Sequence, residues 1–227
     1  MSEMEEGTKK AVRRYLGCPR PDRPMTPELE TMLEACFFQA REQSRPRSAV
    51  SPLLPLERRE GGLFAGPLPL DGSDIAAHLE GCTHAVLLGA TLGAPLDALL
   101  RQTEVLDMAG AVMLDAAANV LVEGEADRTE EELRQRLRAS GRYLTGRFSP
   151  GYGNFPLTVQ RELIRLLDGP GRIGLTVSQS FIMNPRKSIT AVLGVAELPV
   201  TGKRAGCGTC HMRNKCIYRK RGTTCDE

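Results

Sequence analysis

Helix-forming sequence runs almost without interruption from Leu96 to Ala139, and this long run restricts the fold more than any other feature. Leu96–Asp107 and Ala111–Glu125 are rich in Ala and Leu, with apolar residues at three- and four-residue steps. Thr129-Glu130-Glu131-Glu132 has the form of a capping box, so a charged helix is expected over Glu132–Ala139. Gly110 is expected to loosen or kink the run. Asn119 and Glu123 lie one turn apart and share a helix face. Just before this run, Thr83–Thr91 (THAVLLGAT) is the clearest strand, apolar and ending near Gly93. His84 at its start reads as a hydrogen-bonded strand-end residue.

The flanking sequence adds shorter elements. Residues 1–24 are charged and then rich in Pro and Gly, with a short helix around Lys9–Leu16. Thr26-Pro27-Glu28 is a helix start, with Thr as N-cap, Pro at the first position and an acid in the first turn. Leu29, Met32, Leu33, Cys36 and Phe37 then mark an amphipathic helix over 27–43, with Cys36 as a core thiol. Residues 44–73 suit short extended pieces, Ala49–Leu56 and Gly62–Leu68, and Ile75–Leu79 a short helix. Beyond Gly153, Thr158–Leu167 reads as a helix stopped by Gly169-Pro170-Gly171. Arg172–Ser178 and Ser188–Glu197 read as an antiparallel pair of strands joined by a turn carrying Arg186 and Lys187. No internal repeat is present.

Composition excludes several classes. The apolar fraction of 41% and charged fraction of 26% are those of a globular protein. Aromatics make up 4%, Trp is absent and the net charge is +2, which argues against nucleic-acid stacking platforms and general polyanion binding. No apolar run approaches the roughly 20 residues that span a bilayer, so no membrane partner is expected. The acidic, polar start lacks a signal-like apolar region, and a cytoplasmic location is the default expectation.

Seven Cys in a reducing compartment point to metal, redox chemistry or burial before disulfides. The tail concentrates them. Cys207-Gly208-Thr209-Cys210 is a C-x2-C knuckle, followed by Cys216 and Cys225, with His211 as an alternative fourth ligand to Cys225. Zn or an Fe–S cluster suits such thiolates. A redox dithiol and plain reduced thiols are the other readings. Lys203, Arg204, Arg213, Lys215, Arg219, Lys220 and Arg221 surround the thiols, and such cations would lower thiol pKa values and steer an acidic partner.

Arg147-Phe148-Ser149-Pro150-Gly151-Tyr152-Gly153 is the stretch richest in binding chemistry. Pro fixes φ, and Gly admits φ > 0 or close approach of a ligand. Arg147 offers a fork of donors suited to a carboxylate or phosphate, and Tyr152 a flat ring with a weak donor. The plainer reading is a tight surface turn after a helix.

This loop, the segment Arg172–Gly194 (RIGLTVSQSFIMNPRKSITAVLG) and the helix holding Asn119 and Glu123 together resemble the activation (reactivation) domain of cobalamin-dependent methionine synthase, in particular its free-standing relatives. The likeness covers roughly residues 80–198. It lies in the order Arg, Pro-Gly-Tyr, then Leu-Thr-x-Ser and Met-x-Pro-x-x-Ser; the Cys-bearing tail with Tyr218-Arg219 also resembles the free-standing form.

The resemblance implies an α+β fold, a bent, largely antiparallel sheet flanked by helices, that binds S-adenosylmethionine in a shallow groove at the sheet edge. It implies a component of a methyltransferase system, acting on a corrinoid-binding methionine synthase or related enzyme in trans. There, cob(II)alamin on the partner is reduced by a flavodoxin-like donor and remethylated. By the same resemblance Arg147 grips the methionyl carboxylate and Pro150 and Gly151 shape the backbone at the adenosyl part. Tyr152 reaches towards the cobalt face as the catalytic candidate. Glu123 lies near the sulfonium, with Asn119 one turn away. The expected division is 1–80 as an N-terminal arm and subdomain, 81–200 as the donor-binding core and 201–227 as the basic Cys-rich tail.

The sequence departs from the family pattern in three places. Gly153-Asn154-Phe155-Pro156 stands where the fused domains have a Cys-Pro-Asp-like segment, Asn119 stands where they carry Asp, and no acid precedes Arg147 closely. The second function class is therefore a corrinoid-protein partner that transfers electrons through a metal or Fe–S tail without binding a methyl donor; a metal-tailed scaffold with no corrinoid link is a third.

Overall fold

The computed structural model describes residues 4–18 and 23–200. The tail candidates Cys207, Cys210, Cys216, Cys225 and His211 lie outside the described residues. Helices α1 (Glu6–Tyr15) and α2 (Pro27–Gln43) lead into short strands β1 (Arg47–Val50), β2 (Leu54–Arg59), β3 (Gly62–Ala65) and β4 (Leu68–Pro69). Helix α3 (Ser73–His78) precedes the central strand β5 (His84–Thr91), which is followed by α4 (Ala94–Leu106) and α5 (Met108–Ala139). Then come β6 (Tyr143–Leu144), a 3₁₀ turn (Leu157–Val159), α6 (Gln160–Leu166), α7 (Gly169–Ile173), β7 (Thr176–Val177), β8 (Met183–Asn184) and β9 (Ser188–Ala196).

One sheet runs β4-β3-β2-β5-β9-β6, with β1 also on β5, and each of its pairings is antiparallel. Its spine is β5 against β9, in register from His84 opposite Val195 to Thr91 opposite Ser188. Alternation along β5 sorts the core. Ala85 and Leu87 join Ile75, Phe148, Phe155, Leu163 and Leu167 on one face, while Val86, Leu88 and Ala90 meet Ala126, Leu133 and Leu137 of α5 on the other. Burial on both faces explains why β5 is a continuous apolar run. A third cluster, with Leu33, Phe37, Leu96, Leu100, Leu114 and Val122, holds the helices α2, α4 and α5 together. This is the α+β, antiparallel-sheet class that the motifs implied.

Long-range packing corrects three local expectations. The run expected to loosen at Gly110 breaks three residues earlier, at Asp107 between α4 and α5, and the helix expected to restart at Thr129 is continuous from Met108 to Ala139. Its start is set by Asp107, whose carboxylate accepts the Gly110 N–H at 3.0 Å. The Thr129 hydroxyl donates to Glu125 O inside the helix, because Ala126, Leu133 and Leu137 keep the same face buried. The strand expected over 172–178 is instead helix α7 and the two residues of β7, which pair with β8. Strand β9 pairs with β5 and β6; a strand apolar on both faces is best buried at the centre of a sheet. The extended piece 49–56 divides at Ser51, whose hydroxyl accepts the Leu87 N–H at 2.9 Å.

Candidate functional site

The polar face of α5 collects the site. Asp115, Asn119, Glu123, Asp127 and Glu130 follow one another at steps of four, four, four and three, so they stack along one side of the helix. Two separate loops deliver cations to this row. The Arg147 guanidinium spans its later half: Nη2 donates to Glu123 at 3.0 Å and to Asp127 at 2.7 Å, and Nη1 lies 3.2 Å from Glu130. Lys187 serves the earlier half, with Nζ 2.7 Å from Asn119 Oδ1 and 2.7 Å from Asp115.

The Arg147 loop is built from its own backbone and a buried ring cluster. Phe148 exchanges two hydrogen bonds with Val192 of β9, each 2.9 Å, which fixes Arg147 at the sheet edge facing α5. Its ring lies edge-on to Tyr152 (centroids 5.4 Å apart, planes at 86°) and touches His78 and Phe155. Pro150 is buried. Gly151 takes φ 87°, in the left-handed region that favours glycine, and donates its N–H to Phe155 O.

The Gly153-Asn154-Phe155-Pro156 departure has a structural role. Asn154 accepts the Asp74 N–H and Asp74 accepts the Asn154 N–H, at 3.0 and 3.1 Å, which ties the loop to α3. His78 Nε2 reaches Gly146 O at 2.9 Å, and Arg134 donates to Leu144 O at 2.6 Å while pairing with Glu130. The rings and hydrogen bonds leave Arg147 and Tyr152 little freedom of direction.

The Met-x-Pro-x-x-Ser segment is held differently. Asp97, buried in the first turn of α4, accepts the Arg186 N–H at 2.5 Å, and the Lys187 N–H lies 3.5 Å from its other oxygen. The Ser188 hydroxyl lies 2.8 Å from Thr91 Oγ1 and 2.7 Å from Pro185 O. The ammonium of Lys187 is thus presented to α5 by a rigid turn.

Of the sequence candidates, the structure brings Arg147 to Glu123 and, one turn away on the same helix face, Asn119 to Lys187; Tyr152 packs on Phe148 with the cluster on the other face of the sheet, and Pro150 and Gly151 lie in the loop between. It adds Asp127 and Glu130, which the same helical spacing from Glu123 contains. Burial, countered by Arg147 and reinforced by Asp127, raises the Glu123 carboxyl above its ordinary range. Burial first, then Glu123, raise the Tyr15 phenol. Among the described residues, three carboxylates face Arg147 and Glu130 is shared with a second guanidinium, Arg134, so carboxylates outnumber guanidiniums in these pairs. Such a place suits an organic cation.

Among the described residues, no group of three or more His, Cys, Asp or Glu side chains is arranged to hold a metal ion, and no helix is long and apolar enough to cross a membrane.

No family profile and no curated protein matches the sequence. Among solved structures, the chain is similar to the crystal structure of the MetH reactivation domain bound to AdoHcy, with a TM-score of 0.56 at 16% identity, over 99% of this chain and 86% of that one. The fold is thus that of a methionine synthase reactivation domain.

Proposed function

We propose that this protein is an activation subunit that binds S-adenosylmethionine and supports reductive remethylation of cob(II)alamin in a methionine synthase or another corrinoid methyltransferase acting in trans. The observation that carries the reading is the meeting of the two motif-bearing loops on one face of α5, in a fold shared with a domain whose structure holds AdoHcy.

In this reading Arg147 turns part of its fork to the methionyl carboxylate, a charge-assisted and bidentate pairing. Glu123, with Asp127 beside it, stabilises the sulfonium. The framework of Pro150 and Gly151 receives the adenosyl part through backbone groups, and Tyr152 faces the corrinoid partner as the catalytic, methyl-positioning side chain. Asn119 fixes Lys187 and so the far end of the groove. The corrinoid of the partner supplies the nucleophilic cobalt, and this chain contributes position and charge. A flavodoxin-like protein is the proposed electron donor. The cysteines Cys207, Cys210, Cys216 and Cys225 are the proposed ligands of any Zn or Fe–S centre.

One observation favours the second class. Arg147 already has three carboxylate neighbours, and Nη1 is buried without hydrogen-bond geometry to any of them. A groove closed in this way would leave a corrinoid partner that uses its tail for electron transfer without a methyl donor. Titration calorimetry with S-adenosylmethionine, alone and with a corrinoid domain present, separates the two. Saturable binding that Arg147→Ala weakens at least about a hundredfold supports the activation subunit. Silence in both titrations favours the second class.

A further inference from the structure

We propose that the cavity between the β5–α4 turn and the Asn184-Pro185 segment is an anion site that takes the phosphate group of a small organic phosphate. Its volume is about 300 Å³, and Arg45 and Arg47 are its only charged lining residues. None of its lining belongs to the Arg147 or Lys187 pairs, so the inference goes beyond the donor-binding reading and does not rest on it.

Local sequence places both arginines on one wall. Pro46 holds Arg45 extended, and residues two apart in an extended segment share a side. The Arg45 N–H donates to Leu92 O at 2.7 Å, and Arg47 lies opposite Thr91 in the β1–β5 pairing. Gly93 takes φ 82°, and a Cβ there would lie 3.1 Å from Arg45 Cβ, so glycine lets α4 start this close to the arginines. The far wall is apolar and fixed. Ile173 and Pro185 are buried, and the N–H of the residue after Pro185 is held by buried Asp97.

The two guanidiniums are not neutralised within the protein. Arg45 uses Nη1 on Glu42 O and Ser44 O, both at 2.8 Å. Among the described residues no carboxylate pairs with Arg45 or Arg47, and no Asp or Glu lines the cavity. Arginines elsewhere differ: Arg13, Arg59, Arg128, Arg134, Arg165 and Arg186 each meet a carboxylate. Two like charges left together on the wall of a cavity complement an anion. A phosphate group offers oxygens enough for both forks, whereas one fork fills a carboxylate. Ile173 and Pro185 suit a short apolar body joined to the phosphate, and the volume is that of a small-molecule site.

The test is titration calorimetry on the full chain, at an ionic strength held constant with sodium chloride. The probes are inorganic phosphate, phenyl phosphate and benzoate. Phenyl phosphate is expected to bind saturably, more tightly than inorganic phosphate and than benzoate. Arg47→Ala is expected to weaken it about tenfold or more. Arg101→Ala, which removes an exposed guanidinium of α4 outside the cavity, should leave it unaltered. No saturable binding of either phosphate up to about 10 mM would overturn the proposal. So would an equal loss in Arg101→Ala, which would mean attraction to net charge, or benzoate binding as tightly as phenyl phosphate.

A second readout guards against a variant that is merely less stable. Phenyl phosphate should raise the melting midpoint of the wild type and of Arg101→Ala, each measured against its own ligand-free midpoint, and should not raise that of Arg47→Ala. An equal rise in all three chains places the anion elsewhere, and the proposal fails. No probe is a methyl donor, so failure here leaves the Arg147 reading untouched.

Discussion

Two cations reach the same face of α5 from different loops, and they are held in opposite ways. Lys187 is 11% exposed, its backbone is fastened by buried Asp97, and it meets one acid and one amide. Charge there is balanced. Arg147 is 17% exposed and meets three acids, two of which are open to solvent at 44% and 69%. Charge there is unbalanced, and the Glu123 carboxyl is raised by its burial and by Asp127. The balanced cation has the character of a clamp, since its attraction is spent within the protein. The unbalanced one has the character of a site, because the excess carboxylates keep an attraction for something else. Lys187 thus clamps one end of the α5 row, and the unbalanced charge at Arg147 marks the other end as the proposed binding end.

The comparison breaks most sharply at Asp97. Replacing it with Ala removes a buried carboxylate and leaves the Arg186 N–H and its neighbour without their acceptor. A loss of about 2–3 kcal/mol is expected, measured as a shift in the denaturant midpoint. A change within experimental error would mean that the Lys187 turn is held by something other than Asp97. Arg147→Ala, the variant expected to weaken donor binding at least about a hundredfold, is expected to alter stability by less than about 1 kcal/mol, because two of its three acid partners, Glu123 and Asp127, are open to solvent. A loss as large as that of Asp97→Ala would make Arg147 a clamp as well.

A pH titration sharpens the same contrast. The Glu123 carboxyl is raised in the fold, so the native protein holds its proton more tightly than the unfolded chain does. Its contribution to stability is present below the ordinary carboxylate pKa and is lost as pH rises through the raised value. Donor affinity runs the other way, since only the ionised carboxylate attracts the sulfonium. Affinity is expected to fall as pH drops from about 7 towards about 4, with the fall starting above the ordinary Glu range, and Glu123→Gln should flatten it. A pH-independent wild-type affinity over that range would remove Glu123 from the sulfonium side.

The legibility of these features followed their range in the chain. Helix α2 begins and ends where its cap and apolar steps placed it, at Pro27 and Gln43, because those signals are local. The apolar run of β5 was equally plain. The partner of β9 was not, since a strand buried on both faces does not say which neighbour covers its edges. Asn119 and Glu123 were visible as one helix face; Asp127 and Glu130 lay on the same spacing and needed only the row to be continued. Asn154 looked like a lost family residue until its exchange with Asp74 gave it a place.

The smallest expected effect is the most discriminating. Asp127 is the most exposed acid of the Arg147 group, so Asp127→Asn should change stability by no more than about 0.5 kcal/mol. It removes a negative charge from the excess and a like charge from beside Glu123, whose carboxyl should then titrate lower. The two consequences oppose each other at the sulfonium, since one carboxylate is lost while the other ionises more readily. A net weakening of donor binding of only about two- to threefold is expected. Asp115→Asn is the matched change at the Lys187 end: it also removes one carboxylate from the α5 row, but from a pair whose charge is already spent. It should leave donor affinity unaltered. If Asp115→Asn weakened the donor as much as Asp127→Asn, the attraction would arise from the whole α5 row, and the separation of clamp from site would fail.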